Sequence, residues 1–417
     1  MIARMNSRLL LAAGVFLAAL GLGAAQRWDT EALFRVPRVH PVPEMSEGAV
    51  KAVMIEAPDW KGRPTRAFAY VAVPDGARPD AKVPGVVLVH GGMSTADRDW
   101  VLLWRSRGYA AIAVDNCGGL PVRDGGGWKR HAFSGPPGWG RFATCDEPVK
   151  DQWFYHAVAV NVLGNSYLGS LEGVDANRIG IVGGSWGGLL TCVISAVDAR
   201  FKFAVSIYGC GYLGDHSFVS WRLGMQGATA EQGRKWLSLW DPSLYLPQVR
   251  CPFLWVDGTN DFHFQLDNVA KSAALVRDSS FVTLVRLPHA GEPLRKPSEI
   301  LAFADHLVNG GPDIVRFSDC CADGGRITAR FSAAGRRIAR ARLVWTTSSD
   351  PDWTKRHYDE RAIDGFDAKS GAVAADLPKG TTVAFLALDT DDGLTFTTKT
   401  LFFDKFHPDT LDADGII

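Results

Sequence analysis

Apolar positions recur along the chain with two different periods. Pro84–His90 (PGVVLVH) and Ala110–Asp115 (AAIAVD) are near-continuous apolar runs, the pattern of strands buried on both faces. Thr65–Val73, Arg178–Val182 (RIGIV), Phe203–Ile207, Pro252–Val256 and Val282–Arg286 read as further strands. Between them, residues 97–107, 149–171, 189–197, 265–276 and 296–308 carry apolar side chains at helical spacing. Strands that alternate with helices predict an α/β fold, a mostly parallel sheet with helices on both faces.

Asn309-Gly310-Gly311-Pro312 breaks that rhythm. Beyond it the pattern predicts short strands at Arg326–Phe331, Arg342–Thr347, Thr381–Leu388 and Leu394–Phe402, with a hairpin turn at Asp391-Asp392-Gly393. Residues 26–309 are therefore expected to form the α/β domain and 313–417 a small β-sandwich-like accessory domain. Residues 26–48 are punctuated by proline and are expected to wrap the surface. No internal repeat has a solenoid or propeller period. About 60 residues lie between position 26 and the PGVVLVH strand, so no propeller gate is expected.

The first residues change the picture of where the protein works. Arg4 and Arg8 precede the apolar run Leu9–Leu22, and Gly23-Ala24-Ala25 supplies small residues for cleavage. This is the pattern of a removable export leader, residues 1–25, and it predicts a periplasmic or secreted protein. The run is short for a span of roughly 20 residues, and no later stretch is apolar enough to cross a bilayer, so no stable membrane insertion is expected once the leader is removed.

Composition sets further bounds. The chain has 417 residues, 47% of them apolar, so it can bury a large core. Its 45 basic and 45 acidic residues cancel, which speaks against nucleic acid as a partner. Seven cysteines follow the leader, an odd number with no C-x-x-C or zinc-type spacing. Cys117 and Cys145 flank one loop-like segment and could pair outside the cytoplasm or stay as isolated buried thiols. Neither H-E-x-x-H nor a phosphate-loop pattern occurs, and no cofactor or metal is expected.

The chemistry centres on Gly183-Gly184-Ser185-Trp186-Gly187. With 44 glycines in the chain, a bare G-x-S-x-G arises readily by chance. Here it follows the strand RIGIV directly and opens a helix, as a nucleophile elbow requires. A serine hydroxyl attacks poorly until a base takes its proton, and on an elbow of this kind the partners follow in the order acid, then histidine. Asp261 lies in Asp257-Gly258-Thr259-Asn260-Asp261, just past the strand PFLWV, where a carboxylate can orient a histidine. Asp257 is the runner-up and Asp267 lies farther out. Of the ten histidines, His289 alone stands in a loop straight after the last α/β strand, in Leu287-Pro288-His289-Ala290-Gly291. The oxyanion of a tetrahedral intermediate needs donors. The N–H of Trp186 is one candidate. The other comes from His90-Gly91-Gly92-Met93, with Gly92 first and Gly91 or Met93 as alternatives. His90, Tyr208 and His263 are expected to line the substrate pocket.

Further stretches resemble one branch of the α/β-hydrolases, the acetylxylan-esterase-like or dienelactone-hydrolase-like proteins. They are Asp151-Gln152-Trp153 with Tyr155-His156-Ala157, Val174–Gly180 (VDANRIG), Gly184–Gly188 (GSWGG), Phe201–Val205 followed by Tyr208-Gly209-Cys210-Gly211, and Asp257–Phe262 (DGTNDF). The resemblance extends over roughly residues 50–400 and includes Asp352–Arg356 (DWTKR) of the C-terminal region. It implies a Ser185–His289–Asp261 triad and the deacetylation of carbohydrate esters, so a small-molecule or polysaccharide ester is the expected substrate. True dienelactone hydrolases have a cysteine nucleophile. Ser at position 185 argues against that activity.

Two loop regions carry aromatic side chains suited to stacking on sugar rings or to packing a lid. Residues 117–148 hold Trp128, Phe133, Trp139 and Phe142, and residues 209–248 hold Tyr212, Trp221, Trp236, Trp240 and Tyr245. Three functions stay open at this point: a secreted serine carboxylic-ester hydrolase, a prolyl-oligopeptidase-type peptidase, and a non-catalytic polysaccharide-binding protein.

Overall fold

The computed structural model describes residues 26–138, 142–215, 226–289, 297–364 and 366–403. The expected leader lies outside the described residues, as do Trp139 and Trp221. No helix among the described residues is long and apolar enough to cross a membrane.

Nineteen strands occur among the described residues. The first half contributes β1 (Val39–Pro41), β2 (Lys51–Trp60), β3 (Arg63–Ala72), β4 (Val83–Val89), β5 (Ala110–Val114), β6 (Gly119–Asp124), β7 (Gly127–Arg130), β8 (Val174–Gly184), β9 (Ala204–Ile207), β10 (Phe253–Gly258) and β11 (Ser279–Leu284). The C-terminal region adds β12 (Arg316–Asp323), β13 (Arg326–Ser332), β14 (Ile338–Thr346), β15 (Asp359–Ala362), β16 (Ala372–Asp376), β17 (Val383–Thr390), β18 (Thr395–Thr397) and β19 (Leu401–Phe402). The helices are α1 (Thr30–Phe34), α2 (Arg98–Ser106), α3 (Trp153–Ser170), α4 (Trp186–Val197), α5 (Ala230–Trp240), α6 (Leu266–Ala273) and α7 (Ser298–Val308).

One sheet dominates, in the order β1-β2-β3-β5-β4-β8-β9-β10-β11-β18-β17-β14-β15. Its centre, β5-β4-β8-β9-β10-β11, is parallel throughout. These strands are the apolar runs of the sequence. Val86 to Val89, Ile112 and Val114 are wholly buried, and burial of each such side chain contributes about 1.5–3 kcal/mol. Helices follow the same logic. Asp97 caps α2 by accepting the N–H of Trp100 at 3.0 Å, while Trp100, Val101 and Trp104 face inward. All twelve residues of α4 are buried, as expected for a helix that is apolar all round.

The C-terminal strands form two antiparallel layers. β12, β13 and β16 make a three-stranded sheet. Its Ile327, Phe331 and Val373 belong to the same buried core as Leu343 and Leu386 of β14 and β17. The second layer is continuous with the main sheet, because β18 pairs antiparallel with β11 at Phe281↔Thr397. The Glu299 carboxylate of α7 also accepts the N–H of Thr395 at 2.8 Å. Residues 26–48 hold α1 and β1. All seven cysteines are free thiols, Cys117 and Cys145 among them.

Candidate active site

Ser185 sits between the end of β8 and the start of α4 with φ +58° and ψ −125°. A left-handed φ on a residue with a side chain costs on the order of 1–3 kcal/mol, and the surroundings hold it there. The Ser185 N–H donates to Ile207 O at 2.9 Å, and Leu189 N–H donates to Ser185 O at 2.9 Å. Close packing of the turn needs glycine on both sides. A Cβ on Gly183 would stand 2.1 Å from Gly187 O, and one on Gly187 would stand 2.0 Å from Val89 O.

A hydrogen-bonded row runs from this serine. Ser185 Oγ lies 2.9 Å from His289 Nε2, and His289 Nδ1 lies 2.5 Å from Asp261 Oδ2. His289 and Asp261 come from turns that follow β11 and β10. The Asp261 side chain is fully buried and that of His289 is 13% exposed. Asp261 spends its other oxygen locally, where Oδ1 accepts the N–H groups of His263 (2.8 Å) and Phe264 (2.7 Å). That clamp leaves Oδ2 directed at the imidazole and fixes the Nδ1–H tautomer, so Nε2 is free to accept the serine proton.

His289 is enclosed by rings. Tyr208 stacks on it at 4.5 Å, His263 lies at 4.8 Å and Phe262 at 4.9 Å. Tyr208 is 1% exposed, and its hydroxyl donates to Pro288 O at 3.2 Å. It is a shelf beneath the imidazole rather than a wall of an open pocket. His263 is half-buried. Burial, and then the neighbouring His289, depress its pKa to about 4, so it is neutral at neutral pH.

The loop after β4 meets the elbow directly. A Cβ on Gly91 would come within 2.7 Å of Gly184 O and 3.1 Å of Ser185 Cβ. His90, expected in the pocket, turns inward instead and is 4% exposed. Its Nε2 lies 2.8 Å from the backbone N–H of Asn116, which can only donate, so the ring proton is on Nδ1. Nδ1–H donates to Gly91 O at 3.0 Å. In a trans peptide the C=O and the following N–H point in opposite directions. Anchoring Gly91 O inward therefore turns the Gly92 N–H outward. Trp186 is the first residue of α4, where backbone N–H groups have no partner within the helix, and its amide follows the serine directly. The loop is braced from its far side, where Trp128 of β7 donates its indole N–H to Met93 O at 3.1 Å.

Sequence reading missed this brace and the support beneath it. Asp115 Oδ1 accepts the N–H groups of Cys117 and Gly119 at 2.9 and 2.7 Å, and Oδ2 accepts the Thr95 hydroxyl at 2.7 Å. The signal was an acidic residue ending a fully apolar strand, as at Asp257.

Asp257 does not reach His289. It is buried at the end of β10, its Oδ1 accepts the Gly258 N–H at 2.7 Å, and its Oδ2 has no hydrogen-bond partner among the described residues. Burial, and then the nearby Asp261, push its pKa well above the usual carboxylate range. In the unfolded chain it ionises near pH 4; in the folded chain it keeps its proton to higher pH. Ionisation then favours unfolding increasingly as pH rises above that point. Asp257→Asn removes this penalty and retains the acceptor. Its urea midpoint is expected to exceed that of the parent at pH 7, with the gain disappearing as pH falls toward 4. An equal or lower midpoint at pH 7 would contradict a protonated Asp257.

The aromatic loops divide. Trp236, Trp240, Tyr245 and Phe142 are buried. Phe142 stacks on Trp236 at 4.2 Å, and Trp240 stacks on Phe154 of α3 at 5.1 Å. These rings close a second layer over α3 and present no platform to a sugar. Trp128 and Phe133 stay at the surface.

Known proteins share parts of this chain. The sequence profile of the prolyl oligopeptidase family matches residues 149–303. An uncharacterized peptidase, YuxL of Bacillus subtilis (strain 168), is 30% identical over 135 residues, which cover 30% of this chain and 20% of that protein. The chain thus matches only about a fifth of the length of that relative. Among solved structures, an acetyl xylan esterase from Paenibacillus sp. R4 superposes with a TM-score of 0.54 at 19% identity, over 68% of this chain and 94% of its own. Acetyl xylan esterase 1 from Thermoanaerobacterium sp. JW/SL YS485 gives 0.52 at 17% identity, over 70% and 93%.

Proposed function

We propose that this chain, which shares its fold with two solved acetyl xylan esterases, is an exported serine carboxylic-ester hydrolase of the α/β-hydrolase type that deacetylates carbohydrate esters. The observation that carries the catalytic reading is the unbroken row Ser185 Oγ–His289 Nε2–Asp261. Export rests on the leader expected in residues 1–25.

The chemistry follows from the row. Ser185 Oγ attacks the ester carbonyl carbon as His289 Nε2 takes its proton. Asp261 stabilises the imidazolium so formed and does not itself take the proton. The N–H groups of Trp186 and Gly92, preorganised by helix α4 and by His90, receive the negative charge that develops on the carbonyl oxygen. The C–O bond to the alcohol then breaks, and His289 delivers the proton to the leaving oxygen. Water enters, gives a proton to His289 and attacks the acyl carbon. Ser185 recovers its proton as the carboxylic acid departs.

The ester reading agrees with the names of the two solved structures of matching fold, both acetyl xylan esterases. A peptidase reading is favoured by the prolyl oligopeptidase profile over residues 149–303. One assay decides between them, with p-nitrophenyl esters from acetyl to octanoyl, acetylated xylan, and peptide p-nitroanilides. The expected result is turnover of acetyl esters and acetylated xylan with kcat/KM at least about a hundredfold above any anilide. Faster cleavage of anilides would select the peptidase.

A further inference from the structure

The chain is electrically balanced as a whole, with 45 charges of each sign, but one side of the site rim is not. The turn between β2 and β3 with its flanks, residues 59–66, and the segment 119–133 together carry Lys61, Arg63, Arg66, Arg123, Lys129 and Arg130, against the two carboxylates Asp59 and Asp124. The two stretches are joined in space, since Arg66 N–H donates to Phe133 O at 2.9 Å. They adjoin the oxyanion loop through Trp128 and Met93 O.

Three of the guanidinium groups lie over aromatic rings. Arg63 stands 5.3 Å from the centre of Trp60, Arg66 4.0 Å from Phe133 and Arg123 3.9 Å from Trp128. A cation held over a ring still keeps N–H donors for a ligand. Among the described residues, Lys61 is paired with Glu147, and Arg130 donates to the carbonyls of Cys117 and Gly135. Glu56, bonded to His40, feels Arg66. Arg63, Arg123 and Lys129 are exposed, and no ion pair among the described residues engages them or Arg66. The cations crowd one another. Burial first and then, against the pull of Asp115, Arg130 and Arg66 hold the His131 pKa below its ordinary value.

Crowded cations alternating with aromatic rings suit a ligand that presents flat apolar faces and repeated anionic groups. We propose that this rim docks an anionic polysaccharide, and that the ester substrate is an acylated chain bearing carboxylates. Sugar rings meet Trp60, Phe133 and Trp128. The carboxylates of successive residues take bidentate hydrogen bonds from the stacked arginines. The polymer then runs from the β2–β3 turn toward Met93 and presents an ester at Ser185. This deepens the esterase reading and rests on it for the word substrate, but the surface itself can be tested without catalysis.

The test uses the full chain and the variant R63E/R123E/K129E, with p-nitrophenyl acetate turnover as the measure of intact folding. In affinity electrophoresis, de-esterified polygalacturonate is expected to retard the parent at low salt and much less at about 0.5 M salt, where charges are screened beyond roughly 4 Å. The variant should run unretarded. On acetylated polygalacturonate the variant should lose about tenfold in kcat/KM, mainly through KM, while p-nitrophenyl acetate and neutral acetylated xylan are unaffected. A parent that migrates unchanged in polygalacturonate overturns the proposal, as does equal retardation of parent and variant. So does retardation by duplex DNA or anionic lipid vesicles that matches that by polygalacturonate. If binding fails while p-nitrophenyl acetate is turned over, this inference falls alone. If binding holds and no ester is turned over, the esterase reading falls and the surface stands.

Discussion

Ser185→Ala is expected to reduce kcat on p-nitrophenyl acetate by about 10⁴- to 10⁶-fold, with no loss of thermal stability. The size follows from the cooperative action of the row. Without Oγ there is no group for His289 to activate, and removing one member of a nucleophile–base pair costs about as much as removing all of them. Binding and oxyanion donors leave a residue of roughly 10³-fold over water. Stability should hold because the backbone at φ +58° already carries a Cβ in the parent, so alanine adds no strain. The one hydrogen bond given up is that to His289. Labelling by a fluorophosphonate should vanish in parallel. A variant that retains more than about a hundredth of the parent rate would remove Ser185 from the chemistry.

Gly187→Ala is expected to destabilise the fold severely, by about 4 kcal/mol or more. Two effects oppose each other. Alanine is the better helix former by about 1 kcal/mol, and Gly187 lies in the first turn of α4, so propensity alone predicts a gain. Sterics decide otherwise. The added Cβ would stand 2.0 Å from Val89 O, 2.7 Å from Val89 C and 2.8 Å from His90 O. All three are backbone atoms of β4 and its turn, which cannot rotate aside as a side chain can. Helix α4 must lift from the sheet, and with it the Trp186 amide. The measurement is a urea or thermal melt, with the soluble yield beside it. A midpoint equal to that of the parent would show that the helix and β4 are less tightly locked than the described packing.

The parallel centre of the sheet was legible because each strand there is buried on both faces and must be apolar along its whole length. The row was legible for a related reason. Ser185, Asp261 and His289 each stand one turn past such a strand, where chain order and position limit the choice. Some antiparallel strands with one wet face hid themselves. β2 (KAVMIEAPDW) mixes charges and a proline into its exposed positions, and β12 (RFSDCCAD) begins and ends on charge. The hairpin β6–β7 hid behind glycines that read as loop. Side-chain direction was the other blind spot. His90 turns inward because Gly91 is pressed against the elbow, and Trp236 and Trp240 close on Phe154 of α3, a contact far away in sequence. Nothing local distinguishes a tryptophan that covers a helix from one that covers a ligand.

The pairing of β18 with β11 has a consequence for His289. β11 is the last parallel strand of the catalytic sheet, and the loop bearing the imidazole hangs from its end. Left alone, it would be a rim strand with open hydrogen-bonding groups, able to fray or to recruit a second chain. With β18 zipped alongside and Thr397 Oγ1 accepting the Thr283 N–H at 3.1 Å, β11 becomes an interior strand. His289, the general base of the proposed mechanism, then hangs from an interior strand, as Ser185 does, and the C-terminal strands splint the row from outside it.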